Sequence, residues 1–256
     1  MKTVLLAGGL GTRLREETEF KPKPMVEVGS RPILWHIMKT FEASGHKDFI
    51  VCTGYRSEVI KNYFSNLINL ASDFSIEFGV NPKIDFKDLD FPDWNITISD
   101  TGLETMTGGR VKKIEKYVGG KTFFCTYGDG LANVDIEKLL AFHKSHGKIA
   151  TVTAVHPTSR FGQLTVESSG KVSEFSEKPL TDEWINGGYF VFEPEIFEYL
   201  SEDSILEKDA LPKLAQDNQL HAFKHEGYWQ PMDTYREFTI LNDLWNSGIA
   251  PWKVWK

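Results

Sequence analysis

The stretch Val4-Leu5-Leu6-Ala7-Gly8-Gly9-Leu10-Gly11-Thr12-Arg13 decides the fold. An apolar run of strand character breaks into three glycines within four positions and closes on a permanently charged arginine. With no Cβ in the way, successive backbone N–H groups can turn toward one anion. The planar guanidinium of Arg13 adds a fork suited to phosphate oxygens. Two better-known phosphate motifs do not fit. Counted from Gly9, the third glycine of a dinucleotide fingerprint is replaced by Leu14. A P-loop needs Gly-Lys-[Ser/Thr] at a spacing that is absent. A glycine-rich turn after a first strand would account for the glycines alone, but Lys21-Pro22-Lys23-Pro24-Met25 follows. Its prolines hold the backbone extended and exclude helix, so the lysines project predictably and could supply positive charge to a triphosphate, a solvated basic loop being the alternative for this segment alone. Spacing does not choose between Lys21 and Lys23.

Outward from this loop, strand and helix patterns alternate. Lys2–Ala7 reads as strand and 32–44 as helix, with Pro32 near its first turn and Gly45 at its end. Residues 48–53 read as strand and 57–65 as helix, with Ser57 as its cap. This alternation predicts an α/β fold whose mostly parallel central sheet has helices on both faces. Ligands of such sheets sit beyond the carboxyl ends of the strands, where the Gly8–Arg13 loop falls. Residues 68–93 lose the pattern and read as an irregular excursion holding a strand or two, a lid or a subunit contact. Residues 95–99 restore it as strand. Thr107-Gly108-Gly109-Arg110 then opens a helix running to about Val118, either a second anion- or base-friendly helix start or a plain glycine-bearing one.

Residues 121–126 form the next predicted strand, ending in Tyr127-Gly128-Asp129-Gly130. A carboxylate at a strand's carboxyl end suits Mg²⁺, which takes one or two carboxylates plus phosphate and water. An Asx turn is the structural alternative. After a helix over 135–146 and a strand over 150–155, Arg160–Val166 and Val172–Ser176 alternate as antiparallel strands added at the sheet's far end. Glu177-Lys178-Pro179 ends the second. Asn186-Gly187-Gly188 leads into an aromatic strand; hydroxyl-rich sugars need such amides, carboxylates and approachable backbone, but for these positions alone surface turns are the better reading. Tyr228-Trp229-Gln230-Pro231-Met232-Asp233-Thr234 precedes an amphipathic helix to about Asn246, with Thr234 as its cap.

Composition bounds the rest. The 256 residues suit a single unit over 1–256 in which 228–256 forms a C-terminal helix and aromatic tail. No apolar run reaches membrane-span length and no signal pattern opens the chain, which leads to the expectation of a cytoplasmic protein without membrane contact. A net charge of −7 without a basic tract argues against a nucleic acid polymer as partner. Cys52 and Cys125 sit in apolar runs and read as buried free thiols. His143 and His146 make an H-x-x-H without a third ligand and read as a solvated helix face. Trp252 and Trp255 at the end of the chain need covering by the core or by a second subunit, and a homo-oligomer contact is the expectation.

Together, Leu6–Leu14, Lys21–Gly29 and the later motifs in order resemble the signature of the sugar-1-phosphate nucleotidylyltransferases. The resemblance runs through nearly the whole chain. It implies a Rossmann-like nucleotidyltransferase fold with an antiparallel sugar-binding extension, and transfer of a nucleotidyl group from a nucleoside triphosphate to a sugar 1-phosphate with Mg²⁺. It implies that Leu6, Ala7, Gly8, Gly9, Leu10, Gly11, Thr12, Arg13, Lys23, Thr105, Gly109, Arg110 and Gly128 meet the nucleotide. Lys23, Arg13 and Asp129 are implied as catalytic, Asp129 and Asp233 as the metal pair, and Glu177, Lys178, Asn186 and Gly187 as the sugar-phosphate set. Nothing in the residue types by themselves says CTP; within the resemblance, the wording K-P-K-P-M-V-E and W-Q-P-M-D-T implies CTP, and the likeness as a whole implies glucose 1-phosphate. A uridylyl- or thymidylyltransferase, or a non-catalytic sensing subunit of the same fold, are the alternatives.

Overall fold

A computed structural model describes residues 1–87, 92–159 and 161–255. The part of the predicted excursion at 88–91, Arg160 at the start of a predicted strand, and the final residue of the tail lie outside the described residues. Seven strands form the central sheet: β1 (Lys2–Ala7), β2 (Asp48–Thr53), β3 (Asn95–Asp100), β4 (Phe123–Tyr127), β5 (Ala150–Val155), β6 (Ile185–Phe192) and β7 (Leu220–His225), in the order β7-β5-β6-β4-β1-β2-β3. Only β6 runs antiparallel to its neighbours, β5 and β4. The remaining pairs are parallel.

Period-two alternation places successive side chains on opposite faces, and both faces are buried. Leu5, Ala7, Phe49, Val51, Phe124, Tyr189 and Val191 face one core. Val4, Leu6, Ile50, Cys52, Phe123, Cys125, Phe190 and Phe192 face the other. The first core is covered by α1 (Ile33–Ala43) through Ile33, Leu34, Ile37, Met38 and Phe41, together with α4 (Ile136–His146). The second is covered by α3 (Thr107–Lys113), through Val111, and by the segment carrying Leu206, Leu211 and Leu214. The expected α/β class with helices on both faces is what is found.

Several local expectations change. The cap of α2 (Ser57–Ser65) is Arg56 in a left-handed conformation, with φ 50°, and no side chain caps the helix. The helix opened by Thr107 ends at Lys113 and resumes over Glu115–Val118 after Ile114. Pro24 does not exclude helix: Lys23–Met25 forms one 3₁₀ turn, where a proline near the start costs no hydrogen bond. The pair Gln163–Val166 and Val172–Ser176 is a separate hairpin, because the far sheet edge is occupied by β7. Within the predicted excursion lie a short helix, Leu67–Ala71, and a hairpin of Phe74–Glu77 with Lys83–Phe86. His143 is buried rather than solvated, with Nδ1 2.8 Å from Thr151 Oγ1 and Nε2 3.1 Å from Glu193 Oε1.

The aromatic tail is covered within the chain. Trp252 is fully buried and its indole N–H donates to His36 Nδ1 at 3.4 Å, while the other ring nitrogen of His36 donates to Val28 O at 2.9 Å. Trp245 and Trp255 pack around the same imidazole. Burial pulls the His36 pKa down to about 4, so the ring is neutral, as these two hydrogen bonds require. The tail therefore supplies no argument for a second subunit. Among the described residues no helix is long and apolar enough to cross a membrane.

Candidate active site

The carboxyl ends of β1 and β4 lie side by side, with Leu6 paired to Tyr127. They open onto a cavity of about 650 Å³, a size that suits a small-molecule ligand. Gly128 makes the junction tight. Its N–H donates to Leu6 O at 3.0 Å, and a Cβ there would meet Pro24 Cγ at 2.9 Å. The lysine-proline turn is thereby pressed against the strand end that carries Asp129.

Asp233 arrives by a different route. Trp229–Pro231 pairs antiparallel with Gly130–Ala132, with Pro231 opposite Gly130, and Met232 N–H donates to Asp129 O at 2.8 Å. That register brings Asp233 beside Asp129 across more than a hundred residues of sequence. A capping box then holds it, because Glu237 accepts from the N–H groups of Asp233 and Thr234 at 2.7 and 2.8 Å.

Lys23 sits between the two carboxylates, 2.8 Å from Asp129 Oδ2 and 2.5 Å from Asp233 Oδ1, with 6% of its surface exposed. Arg13 donates to the second oxygen of Asp233 at 2.6 Å from a largely exposed position. Burial alone would lower the pKa of Lys23, but the charges and hydrogen bonds of Asp129 and Asp233 outweigh it and hold the ammonium above its ordinary value. Lys21 points elsewhere: it pairs with Glu17 at 3.7 Å and is absent from the cavity lining.

Leu6, Gly8 to Arg13, Lys23, Thr105, Arg110, Gly128, Asp129, Asn186, Gly187 and Asp233 all line this cavity. Ala7, Gly109, Glu177 and Lys178 do not. Ala7 is buried in the core behind the loop. The N–H of Gly109 donates to Ser204 O at 2.9 Å, and a Cβ there would lie 2.0 Å from Glu202 O, so its lack of a side chain serves packing rather than a ligand. Glu177 and Lys178 follow the separate hairpin and pair with each other at 3.0 Å.

Arg110 reaches the cavity wall from behind, and both terminal nitrogens of its guanidinium donate to the protein. One terminal nitrogen donates to Thr53 O, Thr101 Oγ1 and Gly102 O at 2.9, 2.7 and 2.8 Å. The other donates to Gly8 O at 2.9 Å and Leu103 O at 3.3 Å. A Cβ on Gly8 would lie 2.1 Å from this group. Arg110 thus anchors the glycine loop to the segment after β3, with its terminal nitrogens facing carbonyl oxygens.

Tyr127, Thr107 and Trp229 also line the cavity, and sequence reasoning passed over them. Trp229 donates its indole N–H to Gly187 O at 2.7 Å, tying the strand before Asp233 to the loop that bears Asn186. Tyr127 and Trp229 stand inside motifs already singled out, so the signal was their place beside Asp129 and Asp233.

Asp129 and Asp233 could hold a divalent cation. Oxygens of both carboxylates already meet a single cationic atom, Lys23 Nζ. Among the described residues no group of three or more histidines, cysteines and carboxylates converges. The set therefore fits a hard cation that needs one or two carboxylates and completes its shell with phosphate and water.

The profile of the nucleotidyl transferase family matches residues 2–241. The chain is 49% identical to glucose-1-phosphate cytidylyltransferase of Salmonella typhi, with 100% of both chains covered. It is 42% identical to the probable glucose-1-phosphate cytidylyltransferase of Bacillus subtilis, again over 100% of both. HddC of Yersinia pseudotuberculosis, a solved structure, aligns with a TM-score of 0.68 at 22% identity, covering 95% of this chain and 99% of that one, a likeness of fold. With a glycine loop, lysine and paired carboxylates at the strand ends of such a fold, and a profile match over nearly its whole length, the chain belongs to the nucleotidyl transferase family.

Proposed function

We propose that this protein transfers a cytidylyl group from CTP to glucose 1-phosphate, giving CDP-glucose and pyrophosphate. The observation that carries the reading is the Lys23 ammonium seated between Asp129 and Asp233 at the mouth of the glycine loop. The full-length likeness to relatives named for that reaction supports the choice of substrates.

The attacking group is a phosphate oxygen that is already ionised, so alignment and charge neutralisation are what the protein has to supply. Backbone N–H groups of Gly8–Thr12 and the exposed guanidinium of Arg13 hold the β- and γ-phosphates. Lys23 meets the charge that builds on the α-phosphoryl group, where a preorganised cation in a buried site acts most strongly. Asn186 and the backbone of Gly187 meet the sugar phosphate. Mg²⁺, held by Asp129 and Asp233, would supply Lewis-acid neutralisation of the phosphates. Arg110 acts indirectly by fixing the loop, and Glu177 and Lys178 would need the hairpin segment to move inward before they meet a ligand.

Pyrophosphate release measured with glucose 1-phosphate against CTP, UTP, dTTP, GTP and ATP tests the reading. Release with CTP well above the others is the expected result. Preference for UTP or dTTP would overturn the choice of base. No release with any triphosphate, alongside retained nucleotide binding, would replace the enzyme with a sensing subunit.

A further inference from the structure

Behind the sugar side of the cavity a hydrogen-bonded chain runs from a helix start to Asn186. The N–H of Leu206 donates to Thr107 Oγ1 at 3.0 Å, and the hydroxyl of Thr107 donates to Glu207 Oε2 at 2.6 Å. The other oxygen of Glu207 accepts from the hydroxyl of Tyr127. The Tyr127 oxygen in turn accepts from Asn186 Nδ2 at 3.2 Å, while Asn186 Oδ1 accepts from Gly188 N–H at 2.8 Å. Glu207 itself is absent from the cavity lining, although Thr107, Tyr127 and Asn186 belong to it.

Each direction in this chain is determined. Burial, reinforced by the charge of Glu207 and its hydrogen bond, raises the Tyr127 phenol far above its ordinary range, so it stays a donor toward the carboxylate. Its remaining acceptor capacity then faces the amide nitrogen of Asn186, and the carbonyl end of that amide is claimed by Gly188. The amide therefore cannot flip without losing both bonds. Gly188 is required where it stands: its φ is +80°, and a Cβ would lie 2.4 Å from the Tyr127 ring. Asn186 is left with a second amide N–H that has no acceptor among the described residues.

We propose that Glu207 is a positioning residue for the sugar phosphate, acting through Tyr127 to hold Asn186 with an N–H donor presented to a substrate oxygen. The proposal rests on the reading of Asn186 as a sugar-phosphate residue. Glu207 touches no substrate. It sits in a π-helical turn, Leu206–Ala210, a local geometry that often marks functional positions.

The test combines kinetics with a structure that needs no substrate. Glu207→Ala should raise the KM for glucose 1-phosphate about tenfold, the scale of one hydrogen bond, and leave the KM for CTP within about twofold. Tyr127→Phe should do the same. Glu207→Gln keeps an acceptor for Tyr127 and should stay within about threefold of wild type. Because the effect runs through Asn186, the double variant Glu207→Ala/Asn186→Ala should be no worse than Asn186→Ala alone. Additive losses, or equal rises in both KM values, would overturn the proposal. A crystal structure of Glu207→Ala should show the Asn186 amide released from Tyr127. An unchanged amide would overturn the positioning whatever the substrates prove to be. If wild type rejects CTP or glucose 1-phosphate but Asn186 is released in that structure, the choice of substrates fails while the positioning stands.

Discussion

The two walls of the cavity are built differently. On the nucleotide side, the glycine loop, Lys23, Asp129 and Asp233 are set by parallel strand ends, a short antiparallel ladder and a capping box, and each charged group already has a partner. On the side proposed for the sugar phosphate, Asn186 is held by its relay, but Glu177 and Lys178, outside the cavity lining, follow an exposed hairpin whose Leu164, Val166 and Phe175 are 56%, 56% and 62% exposed. That hairpin is tied back through the bridge between Thr158 and Leu180. On the proposed reading, the difference teaches that the charge-neutralising groups are already held together, whereas Glu177 and Lys178 lie outside the cavity that would take the sugar phosphate.

Four experiments press on that contrast. The largest effect is expected from Lys23→Ala, which should lower turnover at least about 10²–10³-fold, the loss typical of one preorganised transition-state contact. Lys21→Ala, whose partner is Glu17, should stay within about twofold of wild type. Equal losses in both variants, measured by pyrophosphate release, would erase the distinction between the two lysines.

Acid should next weaken the scaffold behind the rigid wall. His36 is fully buried, with its pKa lowered to about 4 by burial, so the unfolded state binds the extra proton first. Its contribution is complete above pH 6.5 and is lost as pH falls toward 4, by up to about 3 kcal/mol. His146, also lowered to about 4 by burial and by the neighbouring His221 and His143, loses stability in the same direction. Urea unfolding between pH 7.5 and 4.5 should show the fall, and His36→Gln, which does not titrate, should flatten it.

For the paired carboxylates, Asp129→Asn and Asp233→Asn should each shift the Mg²⁺ titration of activity at least roughly tenfold, the scale seen when metal sites lose supporting groups. A shift in one variant alone would mean that the two do not share an ion. Glu177→Ala and Lys178→Ala should have the smallest effect, a severalfold rise in the KM for glucose 1-phosphate with that for CTP unchanged, since an exposed charge contributes little. A loss as deep as that of Lys23→Ala would show the hairpin side to be as preorganised as the other.

Much of the rigid wall was legible in residue order. A strand ending in Gly8-Gly9-Leu10-Gly11 and a strand ending in Gly128-Asp129 carry their own punctuation, and both lie where the alternation placed them. The far edge was misjudged because alternation in Gln163–Val166 and Val172–Ser176 says that these residues pair, not what they pair with. His143 looked like surface because its partners, Thr151 and Glu193, come from other elements. That Arg110 ties down the glycine loop was hidden for the same reason, its acceptors being carbonyls of Gly8 and Thr53 in distant segments.

By itself the sequence determined the chemistry on offer: a backbone that can face an anion, stiffly mounted cations, and carboxylates at element ends. These depend on residue type and near neighbours, and local propensities decide them. Tertiary structure alone decided which groups meet. It chose Lys23 over Lys21, turned Arg110 inward, brought Asp233 to Asp129 through the pairing of Pro231 with Gly130, and linked Glu207 to Asn186 through Tyr127. Such meetings depend on strand register and packing between segments distant along the chain, and no local pattern carries that information.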